Sequence, residues 1–273
     1  MKIWYQSVTR NGRFPAYNDV LRRVIDRAKD PDTEVEIQGI ERQGGTGDQY
    51  RYLAFLQTVE VLENVHRAIE EGFDAFLIGN IGNPGLLEAR EIAEFPILGL
   101  GETSINVMRT MGEHFGLVTI NEKYQPRLDD VIRHADAERR LTGMYPMDFP
   151  QIFDLETACR DISKRDELFH CFKSAGEAAS RDGAEVILAA GGVVVALLAD
   201  SGIDQLDDGT PVLNGIAALI KQGEAAVRLS RQMSGSYTSK RLSHAKPSPH
   251  EIAGYREDYN ANVYPTVSEG EET

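Results

Sequence analysis

Cysteine is nearly absent from this chain of 273 residues, which contains only Cys159 and Cys171. Two cysteines supply neither a disulfide framework nor the CxxC spacing of a common zinc site. We interpret both as small core residues rather than as catalytic thiols. His170 stands beside Cys171, but adjacent side chains on a predicted helix diverge by about 100° and do not form a Cys–His pair.

Basic residues are also in short supply. The chain has 29 Lys and Arg against 43 Asp and Glu, a formal net charge of -14. Nucleic acid and anionic membranes both require a basic face, so we expect neither as a partner. The negative net charge does not exclude a small anionic or carbonyl-containing substrate, because such a molecule responds to the local electrostatic field of its pocket.

Long hydrophobic runs are missing as well. The longest apolar stretch, residues 186–199, is too short to cross a bilayer and contains a glycine pair. Residues 1–7 are too few and too polar for a signal peptide, so we expect a cytoplasmic protein. Hydrophobic residues make up 41% and charged residues 26%, as in an ordinary globular protein large enough for two lobes.

Apolar periodicity predicts strands that alternate with helices along most of the chain. Strands are predicted at 2–8, 34–40, 74–79, 96–100, 115–120, 140–145, 185–190 and 212–213. Helices are predicted at 17–29, 53–71, 84–93, 102–114, 122–135, 166–181, 193–200 and 215–233, with an irregular stretch at 147–164. This alternation predicts an α/β fold of parallel sheets flanked by helices.

Two of the strands end in the same way. Residues 72–80 (GFDAFLIGN) and 183–191 (GAEVILAAG) each begin with glycine, place an acid two positions later and continue as an apolar run. The carboxyl ends of parallel strands are where open α/β sheets bind ligands. The repeat predicts two pseudo-symmetric lobes, residues 1–100 with 212–235 and residues 101–211, and an active site in the cleft between them. We expect the polar tail, 236–273, to wrap a neighbour or to be partly disordered.

The ordered segments resemble the aspartate/glutamate/hydantoin racemase superfamily. The resemblance extends from residue 2 to about residue 224 and rests on 2–7 (KIWYQS), 74–80 (DAFLIGN), 83–86 (NPGL), 96–102 (PILGLGE), 115–119 (FGLVT), 183–192 (GAEVILAAGG) and 211–215 (PVLNG).

The resemblance implies a two-lobed enzyme that needs no cofactor, and no motif requires a metal. Classical members move a substrate α-proton with two cysteines, one from each lobe. Asn80 and Gly191 stand at the matching positions here. An amide does not titrate and glycine has only backbone, so racemisation by two thiols is excluded unless another residue has replaced them.

Candidate site residues follow from the same strand ends. We assign Asn80, Glu102 and Thr119 to catalysis, and Ser7, Gly79, Asn83, Gly191, Gly192 and Val193 to substrate binding. The backbone N–H groups after Gly191 open a helix and can stabilise an enolate or oxyanion. Two plainer interpretations remain open: Gly191 and Gly192 pack a helix against a strand, and Glu102 caps a helix.

Two flexible segments are further candidates. The loop 44–50 either closes on substrate or is a solvated connection, and a tail folded over the cleft would bring His244 or Tyr255 to a ligand.

Three functions fit these residues. The first is a racemase- or isomerase-like enzyme with non-classical chemistry, acting on a small carboxylate, hydantoin or cyclic amide. The second is a hydrolase that opens a cyclic amide or lactone with the same oxyanion hole. The third is a small-molecule-binding protein without catalysis. A lyase activity in the same pocket also stays open. The helix at 215–233 also offers a surface for a homo-oligomer.

Overall fold

The computed structural model describes residues 1–42, 44–147, 149 and 154–264. The strands are β1 (Lys2–Arg10), β2 (Glu34–Ile40), β3 (Ala75–Ile78), β4 (Ile97–Gly99), β5 (Phe115–Thr119), β6 (Leu141–Pro146) and β7 (Val186–Ala190). The helices are α1 (Pro15–Ala28), α2 (Arg51–Glu70), α3 (Leu86–Ile92), α4 (Leu100–Met111), α5 (Gln125–His134), α6 (Asp154–Ala158), α7 (Ile162–Arg181), α8 (Gly192–Asp200), α9 (Gly215–Gln232) and α10 (Pro249–Tyr259), with single 3-10 turns at Glu122–Tyr124, Glu138–Arg140 and Leu242–His244.

The first sheet has the strand order β2-β1-β3-β4, and all its strands are parallel. Side chains alternate across a strand, so Ile3 and Tyr5 face one side of β1 while Trp4 faces the other. Ile3 and Tyr5 join the core formed with α1 and α9, and Trp4 joins a second core with α2 and α3. Both faces are therefore covered, which explains why β1 and β3 are apolar on both sides.

The second sheet has the order β6-β5-β7 and is also parallel. Helix α7 packs against all three of its strands, and α4 and α8 contact β7. Helix α9 packs against β3, β4, α1 and α4, so it belongs to the surroundings of the first sheet although it follows the second in the chain. One core cluster runs from β1 and α1 through α4 to β5 and β7.

The predicted fold class is confirmed: two parallel sheets are flanked by helices. The lobe boundaries stay a prediction. Helix α4 begins at Leu100 rather than Glu102, because β4 passes directly into it with Gly99 as the N-cap. The predicted strand at 212–213 is only an isolated bridge from Val212 to Ile187. Among the described residues, no helix is long and apolar enough to cross a membrane.

Over residues 234–264, the tail packs against α3 of the same chain. The Lys240 ammonium donates to the backbone oxygens of Arg90 (2.6 Å) and Ala93 (2.5 Å) at the end of α3. Lys246 pairs with Glu94, and the Tyr264 hydroxyl donates to Glu91 at 2.6 Å. The described part of the tail thus packs on its own chain, and the expectation that the tail wraps a neighbour stays a prediction; its part at 265–273 lies outside the described residues.

Candidate active site

A small cavity lies where the carboxyl ends of β1 and β3 meet those of β5 and β7. Its volume is about 100 Å³. It is lined by Ser7, Val8, Thr9, Phe14, Tyr17, Gly45, Thr46, Gly47, Asp48, Gly79, Asn80, Ile81, Ile120, Tyr124, Leu155, Glu156, Gly191, Gly192 and Val193. Typical ligand pockets hold several hundred Å³, so this one suits a ring of a few atoms rather than a nucleotide.

Backbone N–H groups form one wall. Helix α8 begins at Gly192, and its N-cap, Gly191, provides no side-chain cap. The N–H groups of the first helical turn have no partner within the helix. Gly191, Gly192 and Val193 all line the cavity, so this end of α8 can stabilise negative charge on a ligand oxygen.

A carboxylate held from two sides forms another wall. Asp48 accepts a hydrogen bond from the Asn80 amide at 2.9 Å and another from the Tyr124 hydroxyl. The carbonyl oxygen of the Asn80 side chain accepts the Gly82 N–H at 2.9 Å, which fixes the direction of the amide. Burial and then the adjacent Asp48 raise the pKa of the Tyr124 phenol well above its usual value, so it stays a donor at neutral pH.

Hydroxyl groups line the side of the cavity next to β1. The hydroxyls of Ser7 and Thr9 lie 2.8 Å apart, and the Tyr17 side chain lines the same cavity. Burial is the largest cause that raises the pKa of Tyr17, so this phenol also stays protonated at neutral pH. The cluster offers neutral donors and acceptors to a ligand.

The charged lining is acidic. Asp48 and Glu156 line the cavity, and no Lys, Arg or His does so among the residues that the structure describes. The Glu156 carboxylate accepts the N–H groups of Ala16 and Tyr17, each at 3.0 Å, and pairs with Arg160 at 2.9 Å. Glu156 therefore anchors the start of α1 with both of its oxygens.

Six of the nine candidate residues line this cavity: Ser7, Gly79, Asn80, Gly191, Gly192 and Val193. The other three candidate residues do not line it. Glu102 pairs with Arg90 at 3.1 Å on the outer side of α4, Thr119 donates to the backbone oxygen of Asn121, and Asn83 accepts the Gly101 N–H at the start of α4. Their side chains make these local contacts outside the cavity lining, and their assignment to the site stays a prediction.

The loop 44–50 contributes to the cavity lining, whereas the cysteine, histidine and tail candidates do not. The Cys159 thiol donates to the backbone oxygen of Leu155, and burial, followed by the charge of Glu156, raises its pKa to about 12. His170 lies on an outer groove with Lys173, and Tyr255 lies with Tyr264 in a groove beside α3. His244 is in the tail segment that packs on α3, so the hypothesis that the tail delivers His244 or Tyr255 to the cleft is wrong.

Sequence patterns missed Asp48, Tyr124 and Glu156. Asp48 lies in the loop 44–50, which the sequence indicates only as a segment that closes on substrate or as a solvated connection. An acid directly after Gly44-Gly45-Thr46-Gly47 was the available signal, since glycines bring backbone close to a ligand. Glu156 lies in the stretch without periodicity, where no pattern indicates the direction of a side chain.

Comparisons with known proteins agree with this architecture. The family model described as Asp/Glu/Hydantoin racemase matches residues 19–223. A hydantoin racemase from Pseudomonas sp. (strain NS671) is 30% identical over 223 residues, which cover 81% of this chain and 83% of that protein. A hydantoin racemase from Rhizobium meliloti is 28% identical over 202 residues, covering 72% of this chain and 76% of that protein. The structure of allantoin racemase from Klebsiella pneumoniae matches with a TM-score of 0.75 at 21% identity, covering 91% of this chain and 94% of that chain; at this identity the likeness concerns the fold.

Proposed function

Since the chain belongs to the Asp/Glu/hydantoin racemase family, we propose that it is a cofactor-independent enzyme that moves a proton on a carbon next to a carbonyl group. Its substrate is a small, uncharged cyclic amide of the hydantoin type. The observation that carries this proposal is the cavity itself: unpaired N–H groups at the start of α8 and the Asp48 carboxylate line the same space.

The wall at α8 supports the reaction type. When a proton leaves the carbon next to a carbonyl group, negative charge develops on the carbonyl oxygen. N–H groups fixed at a helix start stabilise that charge without reorganising, and removing one such donor in known enzymes costs about 100-fold or more in rate. The Ser7 and Thr9 hydroxyls hydrogen-bond the remaining heteroatoms of the ring.

The acidic lining supports an uncharged substrate. A free carboxylate would enter a cavity that already holds Asp48 and Glu156 and has no cationic lining residue among those described. Like charges at close range disfavour one another, most strongly where water is displaced. A hydantoin-type ring instead presents N–H donors to the carboxylates and carbonyl oxygens to the N–H groups. We therefore favour cyclic amides over the amino acids and malonates that the sequence left open.

Proton NMR in D₂O tests the proposal. The panel contains 5-methylhydantoin, a cyclic imide, an amino acid and a substituted malonate. We expect deuterium to enter the carbon next to the carbonyl of the hydantoin without loss of mass, and no exchange in the amino acid or the malonate. New carboxylate signals would instead identify a ring-opening hydrolase. Binding in saturation-transfer spectra with no change in any compound would identify a binding protein.

A further inference from the structure

The cavity holds few groups that can take a proton. No thiol lines it among the described residues, and its titratable side chains are Asp48, Glu156, Tyr17 and Tyr124. Both phenols have raised pKa values and stay protonated at neutral pH. Among the lining residues that the structure describes, the base must therefore be a carboxylate.

The two carboxylates differ in what already holds them. Glu156 uses its oxygens to accept two backbone N–H groups of α1 and a charged guanidinium. Donors therefore already occupy both Glu156 oxygens. Among the described residues, Asp48 accepts only two neutral donors, an amide and a phenol, and each of its oxygens retains acceptor capacity for a substrate.

The setting of Asp48 keeps its position fixed. Its loop has glycines at positive φ, Gly44, Gly45 and Gly47, and Gly45 lies so close to Arg10 that a Cβ would come within 2.8 Å of the backbone nitrogen. Asn80 follows β3 of the first sheet, and Tyr124 precedes α5 beside the second sheet. The carboxylate is thus held by one residue that follows a strand of each sheet, and Asn80 occupies the position that the resemblance gives to the first thiol.

We propose that Asp48 is the catalytic base of this site, with Asn80 and Tyr124 as its positioning residues. This inference rests on the proposed function. An Asp48 oxygen takes the proton from the carbon next to the carbonyl group. The C–H electron pair becomes the C=C bond of an enolate, and its negative charge lies on the oxygen facing the N–H groups of α8. The carboxylic acid then returns a proton to the carbon, which regenerates the carboxylate.

The test measures deuterium incorporation into 5-methylhydantoin by Asp48→Asn. A matched control is Asp129→Asn, which removes the same charge from an exposed position on α5. General-base groups typically contribute 100-fold or more, so Asp48→Asn should exchange at least about 100-fold more slowly, while the control stays within twofold of wild type. Saturation-transfer spectra should still show ligand bound to Asp48→Asn, and circular dichroism should show it folded.

A second variant separates a base from a structural role. Asp48→Ala leaves room for an added carboxylate, so formate should restore part of its exchange activity and should not do so for the control or for wild type. Exchange by Asp48→Asn within threefold of wild type overturns the assignment, and so does folded, ligand-binding Asp48→Ala that formate does not rescue. If wild type itself exchanges no deuterium, the proposed function has failed rather than the choice of base.

Discussion

The side-chain amide of Asn80 makes two hydrogen bonds, and each has a different consequence. Its oxygen accepts the Gly82 N–H and shapes the turn after β3, while its nitrogen donates to Asp48. Aspartate would offer the first bond but not the second, and alanine would offer neither. An asparagine at this position is therefore explained by the loop and the carboxylate together, without any chemistry of its own.

Asn80→Ala should lower the exchange rate by between about tenfold and 100-fold, because Asp48 loses one of the two donors that position it. Loss of the bond to Gly82 should also lower the free energy of unfolding by about 1 kcal/mol. Asn80→Asp keeps the acceptor for Gly82 but places a second carboxylate beside Asp48, so like-charge repulsion should lower its stability as well, and its exchange should be slower still. Exchange rates and urea unfolding measure both effects; an Asn80→Ala protein with wild-type exchange would contradict this account of Asp48.

Alkylation by iodoacetamide should leave exchange activity within twofold of the untreated protein. Neither cysteine lines the cavity, and the pKa of Cys159, raised to about 12 by burial, leaves almost no reactive thiolate at neutral pH. Mass spectrometry of the adducts, read beside the exchange rate, checks this. Rapid inactivation that substrate prevents would show a thiol at the site after all.

At the scale of the elements, the site is built where strands pass into loops and helices. Gly79 follows β3 directly and packs against the ring of Tyr5, and Gly192 begins α8 beside the cavity. A Cβ at Gly79 would lie 2.3–2.4 Å from atoms of the buried Tyr5 side chain. A Cβ at Gly192 would meet only the Gly79 oxygen and the Tyr17 hydroxyl, both at 3.5 Å. The first glycine is needed for packing, and the second leaves space for a ligand.

The two alanine variants should therefore separate stability from binding. Gly79→Ala should lower the free energy of unfolding by about 1–3 kcal/mol, since the buried Tyr5 must move. Gly192→Ala should fold as well as wild type, because alanine favours a helix over glycine, yet its methyl group fills cavity space and should weaken hydantoin binding at least about tenfold. Urea unfolding and ligand titration measure the pair. Equal loss of stability in both would contradict the contacts described for Gly192.

The elements also explain which parts of the site the sequence predicts. Asn80 and Gly191 were found because the carboxyl ends of parallel strands meet at one edge of a sheet, a rule that needs only the strands. The position of a strand end does not fix where a neighbouring side chain points. The Glu102 carboxylate pairs with Arg90 and does not line the cavity. Asp48 and Glu156 were missed because their positions depend on loops without periodicity.

At the scale of the whole molecule, α1 and α8 join the surroundings of the two sheets. Asp200, at the end of α8, pairs with Arg23 at 2.6 Å and Arg27 at 2.9 Å on α1. The side chain of Asp200 is only 14% exposed. Arg23 is the largest cause that lowers the pKa of Asp200, so folding favours its ionised form. Both helices reach the cavity at their first turns, and this ion-pair group ties their far ends together.

Asp200→Asn should lower the free energy of unfolding at pH 7 by about 1 kcal/mol, whereas Asp26→Asn, exposed on the same helix as the arginines, should not change it. Because the folded pKa is lowered, the stabilisation is present above the ordinary carboxyl pKa of about 3.9 and is lost as the pH falls through the folded value. Urea unfolding at pH 7 and along a series down to pH 3 should show the difference between wild type and Asp200→Asn shrinking. A difference that persists in acid would mean that the ion pair is not its source.

The position of α9 matters while the chain is being synthesised. Strands β3 and β4 are complete by Gly99, but α9, which covers them, ends at Gln232. Leu77 packs against Gly223 so closely that a Cβ there would lie 2.9 Å away. On the ribosome, this apolar face of the first sheet stays uncovered until the whole of the second sheet has emerged. The nascent chain therefore presents a binding site for chaperones, or a route to aggregation, while residues 100–232 are being synthesised.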